Sequence, residues 1–267
     1  MRPDNGTAME YPIYQVDAFT SERFHGNPAA VVITDTWLPV DVMRAVAAEN
    51  NLAETAFVVR SGERFGIRWF TPTVEIDLCG HATLASAHVL FEHDYARGDR
   101  VDFNYVGGTL SVARDGKRLV LDFPSRPATR TNSEAELGAA LGAMPIETHA
   151  AKAQMAVYAA EKDIRALEPN MTAVKKLAGY GLIATAPGND CDFVSRFFAP
   201  QSGVPEDPVT GSAHCTLIPY WSKRLGRTRL HARQLSARGG ELWCEDLGER
   251  VKIGGYAASY LVGKITV

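Results

Sequence analysis

The sequence is short of several things, and each shortage removes a class of protein. Four cysteines occur in 267 residues, Cys79, Cys191, Cys215 and Cys244. None forms a Cys-x-x-Cys pair, so zinc ligation and a dithiol motif are not indicated. No Lys/Arg block stands out, and a formal net charge of −3 argues against a nucleic-acid partner. There is no apolar run long enough to span a bilayer and no basic-then-apolar signal segment. A cytoplasmic protein with reduced thiols is therefore expected. No Gly-rich phosphate fingerprint follows a strand, and Ser212 has no Gly-x-Ser-x-Gly context. The histidines outside the motif described next share no spacing with acids or cysteines, so neither a metal nor a cofactor is expected. Arg2 to Ala8 are polar and expected to be disordered.

What the chain does have is ordinary bulk chemistry and one unusual stretch. A hydrophobic fraction of 46% and a charged fraction of 22% suit a globular protein long enough for two modest domains. The stretch is Glu75 to Leu90, which delivers Cys79-Gly80-His81 to a segment apolar all round: Ala82, Leu84, Ala85, Ala87, Val89, Leu90. A helix without a polar face is buried on every side. Its N-terminus then presents unpaired amides and the positive end of the helix dipole inside the protein, a seat for a carboxylate or phosphate.

The arrangement occurs twice. Arg196-Phe197-Phe198-Ala199-Pro200 echoes Arg68-Trp69-Phe70-Thr71-Pro72, and Thr210-Gly211-Ser212-Ala213 echoes Cys79-Gly80-His81-Ala82. A repeat of about half the chain is a duplication, not a solenoid. Two halves, each aiming a buried helix start, predict one site in the cleft between them.

Hydrophobic patterning predicts strands over 14–19, 29–33, 52–59 and 67–70, then hairpins over 101–105, 109–114 and 118–123. A helix is expected from Leu38 to about Glu49. Pro124 to Asn132 reads as a linker, giving an N-terminal domain over 10–127 and a C-terminal one over 128–267, whose last strand is a candidate to cross back. In the second half, Ser133 and Glu136 predict a capping box for a helix ending near Gly142. Strands are expected over 155–159, 182–186, 193–198, 228–235, 240–245, 250–253 and 258–267. Helices are expected over 171–178, capped by Asn170, and over 211–224, kinked by Pro219. Hairpin strands with one central helix per half make the class α+β rather than alternating βαβ units.

Three places could carry chemistry. Glu54 opens an otherwise apolar strand; the plainer reading is an exposed edge residue, the functional one a carboxylate in an apolar cleft poised for proton transfer. Glu206-Asp207-Pro208 reads as helix-entry punctuation, yet two adjacent acids before a buried helix need a partner or a ligand. His81, at a helix N-terminus, is expected to resist protonation and act as a neutral donor. Cys79 is either a thiolate favoured by the helix start or a small buried hydrophobe; its repeat partner Thr210 favours the latter.

Taken in order, Asp17-Ala18-Phe19-Thr20, Phe24 to Val31, Asn51 to Phe57, Leu78 to Thr83, Phe198-Ala199-Pro200 and Glu206 to Ala213 resemble the PhzF-like isomerase family of phenazine biosynthesis, within the diaminopimelate-epimerase-like fold. The resemblance implies two pseudo-symmetric domains, each a mostly antiparallel sheet wrapped around a central buried helix. It also implies cofactor-independent proton chemistry on a small carboxylic or amino acid, and commonly a homodimer. Glu54 carries over as the group that moves the proton, with Asp207, His81 and Ser212 contacting substrate. Amides near Gly80 and Gly211 would hold the substrate carboxylate, with Cys79 and Thr210 beside them. Related epimerases place a cysteine at each helix start. Here Thr210 replaces the second, which speaks against a two-thiol racemase. The alternatives are a single-thiol racemase or dehydratase using Cys79, and a non-catalytic small-molecule-binding member of the fold.

Overall fold

A computed structural model describes residues 9–267; the expectation for Arg2 to Ala8 lies outside them. The first half runs β1 (Glu10–Ala18), β2 (Asn27–Thr34), α1 (Val40–Asn50), β3 (Glu54–Ser61), β4 (Arg64–Phe70), β5 (Glu75–Ile76), α2 (Gly80–Glu92), β6 (Arg100–Tyr105), β7 (Gly108–Asp115) and β8 (Arg118–Pro124). The second runs β9 (Thr129–Thr131), α3 (Glu134–Leu141), β10 (Glu147–Ala150), β11 (Gln154–Val157), α4 (Glu161–Arg165), α5 (Met171–Val174), β12 (Leu182–Pro187) and β13 (Phe193–Phe198). It ends with α6 (Gly211–Leu225), β14 (Arg229–Gln234), β15 (Gly240–Asp246), β16 (Arg250–Gly255) and β17 (Ala257–Thr266).

The fold is α+β, two pseudo-symmetric halves each wrapping a mostly antiparallel sheet around a central buried helix. The strand pairings show the duplication directly. In the first half the succession β1–β2–β3–β4–β6–β7–β8 pairs antiparallel, parallel, antiparallel, parallel, antiparallel, antiparallel. The succession β10–β11–β12–β13–β14–β15–β16 repeats that order. β8 and β16 join the halves antiparallel. The strand after each join then crosses over: β9 pairs with β10, and β17 returns to pair with β1.

Sequence chemistry explains why the helices sit at the centre. In α2 every residue from Gly80 to Ala87 and from Val89 to Phe91 is buried. Its two hydroxyls turn back on the helix, Thr83 Oγ1 donating to Cys79 O at 2.5 Å and Ser86 Oγ to Ala82 O at 2.7 Å, so they can be buried without water. α6 is buried from Ala213 to Ile218 and ends in exposed Lys223 and Arg224, which face the negative end of its dipole. Pro219 lies inside this helix and cannot donate to Cys215 O four residues back. The Arg126 N–H takes that carbonyl instead, at 2.9 Å. One unbroken helix results.

The repeated segments share more than helix starts. Arg68 clamps Glu75 through two hydrogen bonds of 2.7 Å; Arg196 clamps Glu206 at 2.8 and 2.9 Å. Each acid lies five residues before its helix, and each guanidinium sits over the Phe two residues on. Glu206 is thus satisfied inside the protein, and only Asp207 of the two adjacent acids stays available.

Several expectations shift. The expected linker is ordered at both ends: Pro124 closes β8 and 129–131 form β9. Ser133 makes no side-chain cap; its N–H donates to Thr148 Oγ1 at 3.0 Å, and Glu134 rather than Glu136 is held, by Arg130. The helix expected over 171–178 stops at Val174, although Asn170 does cap it, accepting from Ala173 N–H at 3.1 Å. β5, β10 and α4 are too short, at two to five residues, for periodicity to register.

Candidate active site

The starts of α2 and α6 meet. A Cβ added to Gly80 would lie 3.4 Å from Gly211 Cα, and one added to Gly211 would lie 3.5 Å from Gly80 Cα, with the Phe123 ring against both. With no side chain on either residue, the two helix starts approach until a single methyl would just fill the space between them. Neither N-cap residue, Cys79 or Thr210, caps its helix with its own side chain. Both sets of first-turn amides therefore remain for a ligand.

Around this contact the structure gathers Glu54, His81, Asp207, Cys79 and Thr210. Glu54 Oε2 lies 3.0 Å from His81 Nε2, with side chains 13% and 5% exposed. Neither atom has a hydrogen-bond partner; the pair is close enough for Coulomb attraction but not aligned as a hydrogen bond. Cys79 Sγ lies 3.5 Å from His81 Nδ1. Asp207 accepts from Thr210 Oγ1 at 2.5 Å and from Asn27 Nδ2 at 2.7 Å. Ser212 is one residue past the contact and accepts from the Tyr180 hydroxyl at 3.1 Å, which leaves its own proton free to donate.

The electrostatics follow from burial and from these neighbours. Burial pushes the Asp207 carboxyl up to about 6, helped by Glu54 and opposed by His81. Burial works against the imidazolium of His81, but its contacts with Cys79 and with the Glu54 carboxylate favour it, and His81 titrates well above its usual range. The neutral His81 expected from its helix N-terminus is thus corrected: a carboxylate at 3.0 Å outweighs a partial dipole charge. Burial raises the Cys79 thiol, and Glu54 raises it further. Glu54, Cys79 and His81 do bring an oxygen, a sulfur and a nitrogen within 4.8 Å of one another, a grouping a divalent cation could use. Such an ion would have to displace a thiol proton that burial holds in place.

Sequence reasoning missed two members. Asn27 is fully buried, and its Nδ2 reaches His81 Nδ1 at 3.1 Å, Asp207 Oδ1 at 2.7 Å and Val209 O at 2.9 Å, tying the halves together. Its signal was present in Phe24 to Val31, which carried the resemblance without a role being assigned to Asn27. Gln234 holds the entry of α6, accepting from Thr210 N–H at 2.9 Å and donating to Asp207 O at 2.7 Å. Nothing in a strand sequence marks such a residue.

The register also shows which site residues lack a counterpart. Thr55 pairs opposite Phe70, and Leu182 opposite the equivalent Phe198. Glu54 therefore corresponds to Gly181, and Cys79 to Thr210. The constellation is one-sided. Two surface grooves of about 950 and 750 Å³ lie elsewhere on the sheet; in the larger, the charges are extensively paired, as in Arg118–Asp115 and Arg229–Glu245.

A family model described as phenazine biosynthesis-like protein (PhzC-PhzF) matches residues 16–263. The chain belongs to the PhzC-PhzF family. An "uncharacterized isomerase" of Pseudomonas aeruginosa is 52% identical over 96% of this chain and 99% of its own. The crystal structure of a PhzF-family protein from Enterococcus faecalis superposes with a TM-score of 0.95 at 46% identity, covering 97% of this chain and all of that one. A hydroxyproline epimerase from Agrobacterium vitis, with bound trans-4-hydroxy-L-proline, shares the fold at 11% identity and a TM-score of 0.62, over 97% and 93% of the two chains. Among the described residues, no helix is long and apolar enough to cross a membrane.

Proposed function

We propose that this PhzC-PhzF member is an isomerase that moves a proton on a small carboxylic or amino acid, without a cofactor. The substrate would bind between a first domain of 10–127 and a second of 128–267. The observation that carries the reading is the Glu54–His81 pair, buried at the contact of two helix starts and without a counterpart in the other half. Its relatives in Pseudomonas aeruginosa bear the word isomerase in their names, which supports the reaction class.

In the proposed reaction the substrate carboxylate sits on the first-turn amides of Gly80 and Gly211, with Ser212 donating its hydroxyl proton. Glu54 takes a proton from carbon and becomes a carboxylic acid. The negative charge left on the substrate is met by the amides and by His81, whose raised proton affinity keeps it a donor. The proton held on Glu54 exchanges with solvent between the two transfers, and Glu54 then protonates another carbon, so its carboxylate is regenerated and no atom is gained or lost. Asp207, near its own titration point at neutral pH, is suited to share or supply a proton. A group acting in this way contributes about 100- to 10,000-fold.

One base on one side of the substrate favours proton relocation over racemisation, which needs a group on each face. A single-thiol racemase or dehydratase is the second reading, and the buried, upshifted Cys79 thiol weighs against it. A cytoplasmic homodimer completes the proposal. β17 pairs with β1 alone among the described strands, and it leaves Tyr260, Leu261 and Val262 exposed on an open edge, a surface suited to a second copy.

The test is a panel of small carboxylic and amino acids incubated in D2O and read by NMR. Wild type should place deuterium on carbon in at least one of them. Glu54→Gln should abolish that exchange while the same acid still raises its melting temperature. Exchange surviving in Glu54→Gln would end the assignment.

A further inference from the structure

Six arginines among the described residues are half-buried: Arg68, Arg118, Arg126, Arg196, Arg233 and Arg238. Five have a carboxylate within 4.0 Å, namely Glu75, Asp115, Glu206, Glu241 and Asp17. Arg126 has neither an acid at that distance nor a side-chain hydrogen bond among the described residues. Withdrawing a guanidinium from water without a partner is unfavourable, and its planar fork is shaped for a carboxylate.

Its location is fixed by the backbone. Arg126 N–H is held on Cys215 O, the carbonyl that Pro219 leaves free in α6. Three residues earlier, the Phe123 ring lies against Gly80 and Gly211. The Arg126 charge is near enough to draw the Tyr180 hydroxyl and the Cys215 thiol downward against the dominant effect of burial. Tyr180 in turn donates to Ser212. An unpaired cation, a phenol and a serine hydroxyl therefore collect on the α6 side of the helix contact, while Glu54 and His81 stand on the α2 side.

Resting on the isomerase reading above, we propose that Arg126 is a specificity-determining binding residue, and that the substrate is a small dicarboxylic acid. One carboxylate occupies the amides of the two helix starts and the second pairs with the Arg126 guanidinium. The carbon acid between them faces Glu54. Tyr180 positions Ser212 rather than touching the second carboxylate itself.

Calorimetric titration of the full chain with three monoacids, butyrate, valerate and hexanoate, and three diacids, succinate, glutarate and adipate, tests this. At least one diacid should bind wild type about tenfold more tightly than the monoacid of the same chain length, a modest value for one added ion pair. Arg126→Gln should erase that preference while monoacid affinity stays within about twofold, which also reports that the variant is folded. Arg126→Lys should keep part of it, as a charge without the fork. The proposal is overturned if no diacid is preferred by wild type, absence of binding by all six included, or if the preference survives Arg126→Gln. Glu54→Gln separates this result from the chemistry: a diacid preference retained there, with no deuterium exchange in wild type, would remove the isomerase reading and leave the dianion site standing.

Discussion

At the scale of single residues, the site is a set of ionisable groups whose neighbours, not their types, decide what they do. Asp207 is the clearest case. Burial raises its carboxyl to about 6, above the ordinary carboxylate range. A carboxyl whose folded pKa lies above its unfolded one favours the native state most at low pH, and that contribution is lost as pH rises from about 4 through 6. Asp207→Asn, which carries no charge at any pH, should therefore gain in melting temperature relative to wild type between pH 4.5 and 7.5. A difference independent of pH across that window would contradict the raised pKa. Cys79 is read as a buried thiol in contact with His81, not as the base. Cys79→Ala should keep turnover within about tenfold of wild type, well short of the 100- to 10,000-fold a general base supplies. Loss as large as that of Glu54→Gln would move the thiol into the mechanism.

At the scale of elements, the repeated helix start is the unit that matters, and much of it was legible in the sequence. The apolar girth of α2, the echo of Arg68 to Pro72 in Arg196 to Pro200, and Cys79-Gly80-His81 against Thr210-Gly211-Ser212 all follow from residue identity. What could not be read was partnership. Glu206 and Asp207 are adjacent and alike in chemistry, yet one is clamped by Arg196 and the other reaches the site. Asn27 and Gln234 act through contacts 180 and 24 residues away, and no local pattern encodes such distances. The order within the expected linker was not legible for a related reason: Pro and hydroxyl residues mark irregular chain, but β9 takes its order from β10 rather than from its own propensity. A prediction belongs at this scale. At Gly80 an added methyl would make ordinary contact rather than clash, so Gly80→Ala should leave stability within about 1 kcal/mol. It should still weaken binding of the small carboxylate found in the D2O panel, because the methyl stands between the two sets of amides. Unchanged affinity would remove the helix starts from the binding site.

At the scale of the molecule, the crossed strands make the halves interdependent. β17 completes the sheet of the first half at β1, and β9 does the same for the second at β10, so neither sheet is finished by its own half. The open edge of β17 is also the surface assigned to a second copy. Val262 is 63% exposed there, and Val262→Lys places a charge on that edge, a common device against edge pairing. Light scattering on a sizing column should give a dimer for wild type and a monomer for the variant, with stability changed by less than about 0.5 kcal/mol, as for other surface substitutions. A wild-type monomer, or a variant that remains dimeric, would place the interface elsewhere.

The central claim is that Glu54, held against His81 where two buried helix starts meet, transfers a proton on a small carboxylate. Its most direct measurement is mass spectrometry of small acids extracted from cells and incubated with the protein in D2O. Wild type should add one deuterium to a carbon of at least one acid, and Glu54→Gln should add none. Equal labelling by both proteins, or labelling by neither, would contradict the account.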